Sequence, residues 1–99
     1  MLLCSGQLGL AEDVLVDGVE AQVRQCIANI ETLAAAHGAS LADVVKTTVL
    51  LADIDDYAVM NEAYCDALGD HRPARAAFAV AGLPLGAEVE IEAFIYAPE

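Results

Sequence analysis

From Glu88 to Tyr96 the chain alternates without a break. Glu88, Glu90, Glu92, Phe94 and Tyr96 fall on one side, and Val89, Ile91, Ala93 and Ile95 on the other. Successive side chains of a strand point to opposite faces, so this segment must be a strand with one apolar face to bury. The polar face is the more demanding one. Same-face residues on a strand stand about 7 Å apart, and three carboxylates in a row repel one another unless water or a cation intervenes. Only Arg24, Lys46, Arg72 and Arg75 are basic among the 99 residues. Arg75, set near a strand start by Pro73, is the obvious counter-ion. On spacing alone, Arg75–Val80 and Glu88–Tyr96 read as two strands of a hairpin joined by a Gly/Pro turn.

Upstream, helical and extended patterns take turns. Leu2–Leu10 (LLCSGQLGL) reads as a strand, and Gly6 inside it marks a bulge or a close approach by another backbone. Ala11–Val16 is a connection. Asp17 is placed to cap a helix, with Glu20 three residues on completing a capping-box pattern. Val19, Val23, Ile27, Ile30, Leu33 and Ala34 then recur at helical spacing through Ala36, and Gly38 ends the helix after His37. Ser40 to Asp43 is a short capped turn. Val44–Leu51 (VVKTTVLL) is β-branched and nearly all apolar, as in an interior strand covered on both faces. Asp53–Asp56 is an acidic turn before a second helix, Tyr57–Leu68, with Tyr57, Met60, Tyr64 and Leu68 on one face and Gly69 closing it. The order is βαβαββ: one α/β domain over residues 1–99, with a right-handed crossover and two helices on one sheet face. The carboxylate face has no helix of its own, which points to self-association.

Composition closes off several classes of function. A formal charge of −12 with four scattered cations is a poor footprint for nucleic acid, whose binding draws on Lys and Arg neutralising phosphates. No apolar run approaches a bilayer span and no leader-like segment opens the chain, so a cytoplasmic protein without membrane contact is expected. Cys4, Cys26 and Cys65 are too dispersed for a disulfide framework or a zinc site and read as small hydrophobes. His37 and His71 lack metal-ligand spacing, so no metal is expected.

No nucleophile elbow, P-loop, dinucleotide fingerprint or zincin motif is present. What remains is an arginine, whose planar fork suits bidentate capture of a carboxylate, and strand carboxylates able to hold a water or pass a proton. That combination suits a small carboxylate-bearing substrate. The plainer alternative is a structural Arg–Glu ion pair at an interface.

Several motifs resemble those of the RidA/YjgF family, also called L-PSP endoribonuclease-like. They are Ser5-Gly6-Gln7; Gln22, Gln25 and Asn29 along the first helix; and Leu41 to Asp53 (LADVVKTTVLLAD). Asn61 and Tyr64, Pro73-Ala74-Arg75, Leu83-Pro84 and Gly86 to Ala93 (GAEVEIEA) continue the match over essentially the whole chain. The resemblance implies a chorismate-mutase-like α+β fold, with the last strand between the first and second and antiparallel to both. It implies a homotrimer with ligand clefts between subunits. It also implies hydrolysis of enamine and imine acids (2-aminoacrylate, 2-iminobutanoate, 2-iminopropanoate) to 2-oxo acids and ammonia, without a cofactor.

By the same resemblance Arg75 falls on the substrate-carboxylate arginine and Glu90 on the water-associated glutamate. Gly6 and Asn61 line or support the cleft, and Ala77 stands where a Cys is frequent. The family's leading strand, with a Tyr that reaches the ligand, has no counterpart in this chain. Two other functions compete with deamination: a non-catalytic trimer that binds small carboxylates, and the endoribonuclease of the family's older name, which the acidic charge disfavours.

Overall fold

The computed structural model describes residues 1–97. In chain order its elements are β1 (Leu2–Leu8), β2 (Leu10–Ala11), β3 (Val14–Leu15), α1 (Val19–Ala36), β4 (Val44–Leu51), α2 (Tyr57–Leu68), β5 (Ala74–Ala79) and β6 (Val89–Ile95). Short 3-10 turns at Leu41–Asp43, Ile54–Asp56 and Pro84–Gly86 link them. The main sheet runs β1-β6-β4-β5. β6 pairs antiparallel with both β1 and β4, and β5 pairs parallel with β4 at the far edge. The alternating segment is therefore an interior strand, and the expected hairpin does not form: β4 lies between β5 and β6. Nine residues, 80–88, connect β5 to β6, ample for the chain to cross β4 rather than fold straight back.

Alternation decides which face is buried. Val89, Ile91, Ala93 and Ile95 are sealed beneath the helices, together with Val23, Ile27 and Ile30 of α1 and Met60, Ala63 and Tyr64 of α2. Both helices lie on this face, and the opposite face is bare within the chain. β4 was expected to be covered on both sides and is covered on one. Val44, Thr47, Val49 and Leu51 are buried, whereas Val45 is 44% exposed. An apolar run alone cannot say whether its second face meets a helix of the same chain. Leu33 similarly drops out of the core, at 39% exposure, and Gln22 and Cys26 take up the buried stripe of α1.

Two local expectations are corrected. The stretch read as a plain connection contains the β2–β3 hairpin, whose two turn residues, Glu12 (φ 51°) and Asp13 (φ 68°), are both left-handed. That is the geometry of a tight two-residue hairpin, which usually announces itself with Asn-Gly or Gly and does not do so in this chain. The cap of α1 is Gly18, not Asp17, and no side chain caps the helix. Gly18 takes φ 91°, a left-handed conformation that swings Asp17 off the helix start, and its carbonyl accepts from the Gln22 amide at 3.0 Å. The cap at Ser40 forms as expected, with Asp43 accepting from the Ser40 amide at 2.9 Å.

The polar residues of α1 fasten the hairpin. Asn29 Nδ2 donates to the Leu8 and Leu10 carbonyls, at 3.2 and 3.1 Å, and Gln25 donates to Asn29 Oδ1. Gln22, 3% exposed, donates to the Val16 carbonyl and accepts from the Glu88 amide. The Gln22, Gln25 and Asn29 motif is thus structural: it joins α1 to the hairpin and to the entry of β6.

All three cysteines are free, with Cys4 and Cys26 buried and Cys65 half-buried. Cys26 donates to the Gln7 carbonyl at 3.1 Å, and burial pushes its pKa from 9.0 up to about 12. Native protein at pH 8 should show at most one fast-reacting thiol toward an aromatic disulfide reagent and three after unfolding. Between pH 9.0 and about 12 the folded state holds the Cys26 proton that the unfolded chain releases. This stabilisation is full below pH 9.0 and is lost as pH rises, so the urea midpoint should fall across that window.

Candidate active site

β5 starts directly after Pro73, and its parallel register sets Arg75 opposite Thr47. Thr47 is buried on the helix-covered face, with Oγ1 2.6 Å from the Tyr64 hydroxyl. Arg75 therefore projects toward α2. Its Nη1 donates to Asn61 Oδ1 at 2.7 Å and its Nη2 to the Tyr57 hydroxyl at 2.8 Å. The guanidinium carbon stands 4.9 Å from the Tyr64 ring centre and 5.7 Å from that of Tyr57, within cation–π range of both. Burial raises the pKa of Tyr64, against the pull of its Thr47 hydrogen bond and the Arg75 charge.

The partners of Arg75 are all neutral. Among the described residues the ion pairs belong to Arg24, with Glu20 at 3.7 Å and Asp66 at 2.8 Å. The reading of Arg75 as counter-ion to the glutamate row is thus replaced by one in which its charge has no acidic partner among the described residues. A guanidinium offers five N–H groups in a planar fork, and the two bonds to α2 leave three free. A half-buried cation held in this way suits an anion with two oxygens.

Glu90 lies elsewhere. It shares a row with Leu8 of β1 and Leu50 of β4 on the bare face of the sheet. β1 carries an irregularity between Cys4 and Gln7, where Gly6 sits. A methyl group at Gly6 would stand 2.5 Å from Glu90 Oε2 and 2.7 Å from its Cδ. Gly6 therefore sits at the bulge expected of it, and what approaches it closely is the Glu90 carboxylate, a side chain rather than the backbone expected. Glu92 sits beside Thr48 on the same face.

The five residues singled out from the sequence fall into two sets. Arg75 and Asn61 are in contact on the helix side, with Ala77 next on the same side of β5 and packed against the core. Gly6 and Glu90 are in contact on the bare side. The sheet separates the sets within one chain. Three further members of the Arg75 set, Tyr57, Tyr64 and Thr47, were not singled out as site residues. Tyr57, Asn61 and Tyr64 stand at i, i+4 and i+7 on α2, so one helix face aimed at an arginine was the available signal. Three concavities are lined by neither Arg75 nor Glu90: one of about 190 Å³ by Arg24, Val59 and Glu62, one of about 510 Å³ by Asp17, Glu20 and Arg24, and one of about 210 Å³ by Leu2, Ser5 and His37. No cluster of His, Cys, Asp and Glu able to hold a metal occurs among the described residues, and no helix is long and apolar enough to cross a membrane.

A family model described as Endoribonuclease L-PSP matches residues 1–97. Protein mmf1, mitochondrial, of Schizosaccharomyces pombe is 40% identical over 96 residues, covering 93% of this chain but only 59% of that protein. The 2-iminobutanoate/2-iminopropanoate deaminase of Rattus norvegicus is 42% identical over 92 residues, 90% of this chain and 67% of that protein. Among solved structures, RidA from the Antarctic bacterium Psychrobacter sp. superposes with a TM-score of 0.89 at 47% identity, covering 93% of this chain and 76% of that chain. The mixed sheet with two helices is thus common to this chain and that structure.

Proposed function

This chain belongs to the endoribonuclease L-PSP family, the RidA/YjgF proteins, and from that premise we propose that it hydrolyses reactive 2-imino and enamine acids to 2-oxo acids and ammonia. The observation that carries the proposal is the half-buried guanidinium of Arg75, without an acidic partner among the described residues and pinned at both Nη atoms to α2. It takes the substrate carboxylate and so fixes the C=N group alongside. Water held by Glu90 adds to the imine carbon, and the carbinolamine formed collapses to C=O with ammonia leaving after proton transfer. Imines hydrolyse readily in water, so positioning and proton handling suffice.

Placement of the two sets on opposite sheet faces supports a cleft built by two copies, with the Arg75 set of one chain facing the Gly6–Glu90 set of the next. The apolar side chains left on the bare face, among them Leu3 at 63% and Phe78 at 49% exposure, support an assembly that covers them. A homotrimer of chorismate-mutase-like subunits is the assembly proposed. The test is to generate 2-aminoacrylate or 2-iminobutanoate in situ and follow its disappearance, with light scattering for the assembly. No acceleration by the protein would sink the reading.

Gly6→Ala gives a sharper check. The atom in the way is the end of a flexible side chain, so the added methyl should swing Glu90 aside without unfolding the sheet. Hydrolysis should fall about tenfold or more while Tm moves by no more than a few degrees.

The separation of Glu90 from Arg75 favours one competitor: a trimer that binds small carboxylates without turnover. It predicts thermal stabilisation by 2-oxo acids and no imine hydrolysis. Endoribonuclease activity is not adopted, because a net charge of −12 opposes an RNA backbone. For location, the cytoplasm remains the proposal. The fission-yeast relative is mitochondrial by name, and cell fractionation separates the two.

A further inference from the structure

We propose that Tyr57 is a second binding residue for the ligand carboxylate, acting with Arg75; this rests on the reading of Arg75 as the carboxylate clamp. The Tyr57 hydroxyl accepts a hydrogen bond from Arg75 Nη2 at 2.8 Å. A phenol that accepts still has its own O–H to donate, and no acceptor among the described residues takes it. In the adjacent Arg75 set the Tyr64 hydroxyl is instead engaged with Thr47 at 2.6 Å and buried, and Asn61 Oδ1 receives Arg75 Nη1. Tyr57 is 39% exposed and stands at the first residue of α2, at the open end of the set. Its O–H and the free N–H groups of Arg75 lie side by side.

The two residues also fix one another. With Nη1 tied to Asn61 and Nη2 to Tyr57, four residues apart on one helix, the plane of the fork is set before a ligand arrives. A carboxylate docking on the fork can place one oxygen on Arg75 alone and share the other between Arg75 and the Tyr57 hydroxyl. An asymmetric clamp of this kind selects the rotation of the ligand about its carboxylate bond, and with it the direction in which the C=N group points. Tyr57 thereby becomes a determinant of carboxylate binding as well as of guanidinium geometry.

The experiment is titration calorimetry of the full chain with 2-oxobutanoate, the stable product, on wild type, Tyr57→Phe and Arg75→Ala. It is joined by kinetics on 2-iminobutanoate and on an uncharged imine lacking the carboxylate. Tyr57→Phe keeps the ring and removes only the hydroxyl. It should weaken 2-oxobutanoate binding about tenfold and raise KM for the imino acid similarly, with kcat within about threefold. Its turnover of the uncharged imine should match wild type. Unchanged affinity and KM in Tyr57→Phe, or an equal loss on the uncharged imine, overturns the proposal, as does a wild type that does not bind 2-oxobutanoate. Wild-type binding without imine turnover, again weakened in Tyr57→Phe, sinks the deaminase reading and leaves the role of Tyr57 standing.

Discussion

Arg75→Ala is expected to lower kcat/KM for 2-iminobutanoate hydrolysis by about a hundredfold or more, with the fold and assembly retained. Each charge-assisted bond from the fork to a carboxylate contributes about 1.5–3 kcal/mol, so losing a bidentate pair removes about two to four orders of magnitude. The cost in stability is smaller. Arg75 is half-buried at the sheet edge, and its two hydrogen bonds and ring contacts are partly solvated, so about 1 kcal/mol is the scale. Its removal leaves Asn61 and the exposed Tyr57 hydroxyl open to water rather than stranded.

Arg75→Lys should rescue little. A lysine ammonium is a point charge that cannot bond Asn61 and Tyr57 together while presenting a fork to the ligand. Steady-state kinetics on both variants, with Tm and light scattering alongside, checks the prediction. Full activity in Arg75→Ala would remove the site from Arg75 altogether.

Why Arg75 was legible and its surroundings were not follows from the kind of signal each leaves. Alternation over Glu88–Tyr96 is local, and it specified both the strand and the face that the helices cover. The stripe of α1 is equally local, although hydrophobic spacing included Leu33, which is exposed, and left out Gln22 and Cys26, which are buried. Strand order is not local. β6 enters between β1 and β4 because its apolar face and both of its edges can be satisfied there, a solution to pairing that no segment carries alone. Motif resemblance supplied that order where periodicity supplied a hairpin.

The site divides in the same way. Arg75 stood out because cations are scarce, and Gly6 because it interrupts a strand. Tyr57 was visible only as a member of an apolar helix face, and Tyr64 as that and as a motif residue without an assigned role; their place beside Arg75 depends on β5 lying along that face. The Glu12–Asp13 turn left little signal, since Asp13 tolerates left-handed backbone but Glu12 is not a residue it selects.

Gly9→Ala is expected to be the most damaging single-methyl substitution in the chain, at about 2–4 kcal/mol and a fall in Tm on the order of 10 °C or more. Gly9 joins β1 to β2 and lies directly beneath α1. A methyl group there would stand 2.7 Å from Gln22 Cα, 2.9 Å from its Cβ and 3.0 Å from its Cγ. At Gly6 the obstructing atom can swing away; at Gly9 it is helix backbone, so α1 itself must shift. That shift strains the two contacts through which Gln22 holds the sheet, its donation to the Val16 carbonyl and its acceptance from the Glu88 amide. Weakening them exposes the cost of poorly satisfied buried polar groups on top of the steric term.

Gly82→Ala is the matched control, because a methyl group there meets nothing within 4 Å, and its effect should stay within about 0.5 kcal/mol. Thermal and urea unfolding at one protomer concentration makes the comparison, since assembly adds to apparent stability. A Gly9→Ala protein with wild-type Tm would mean that α1 rides loosely on the sheet. The route by which Gln22 couples the helix to the entry of β6, and so to the backbone that carries Glu90, would then carry no load.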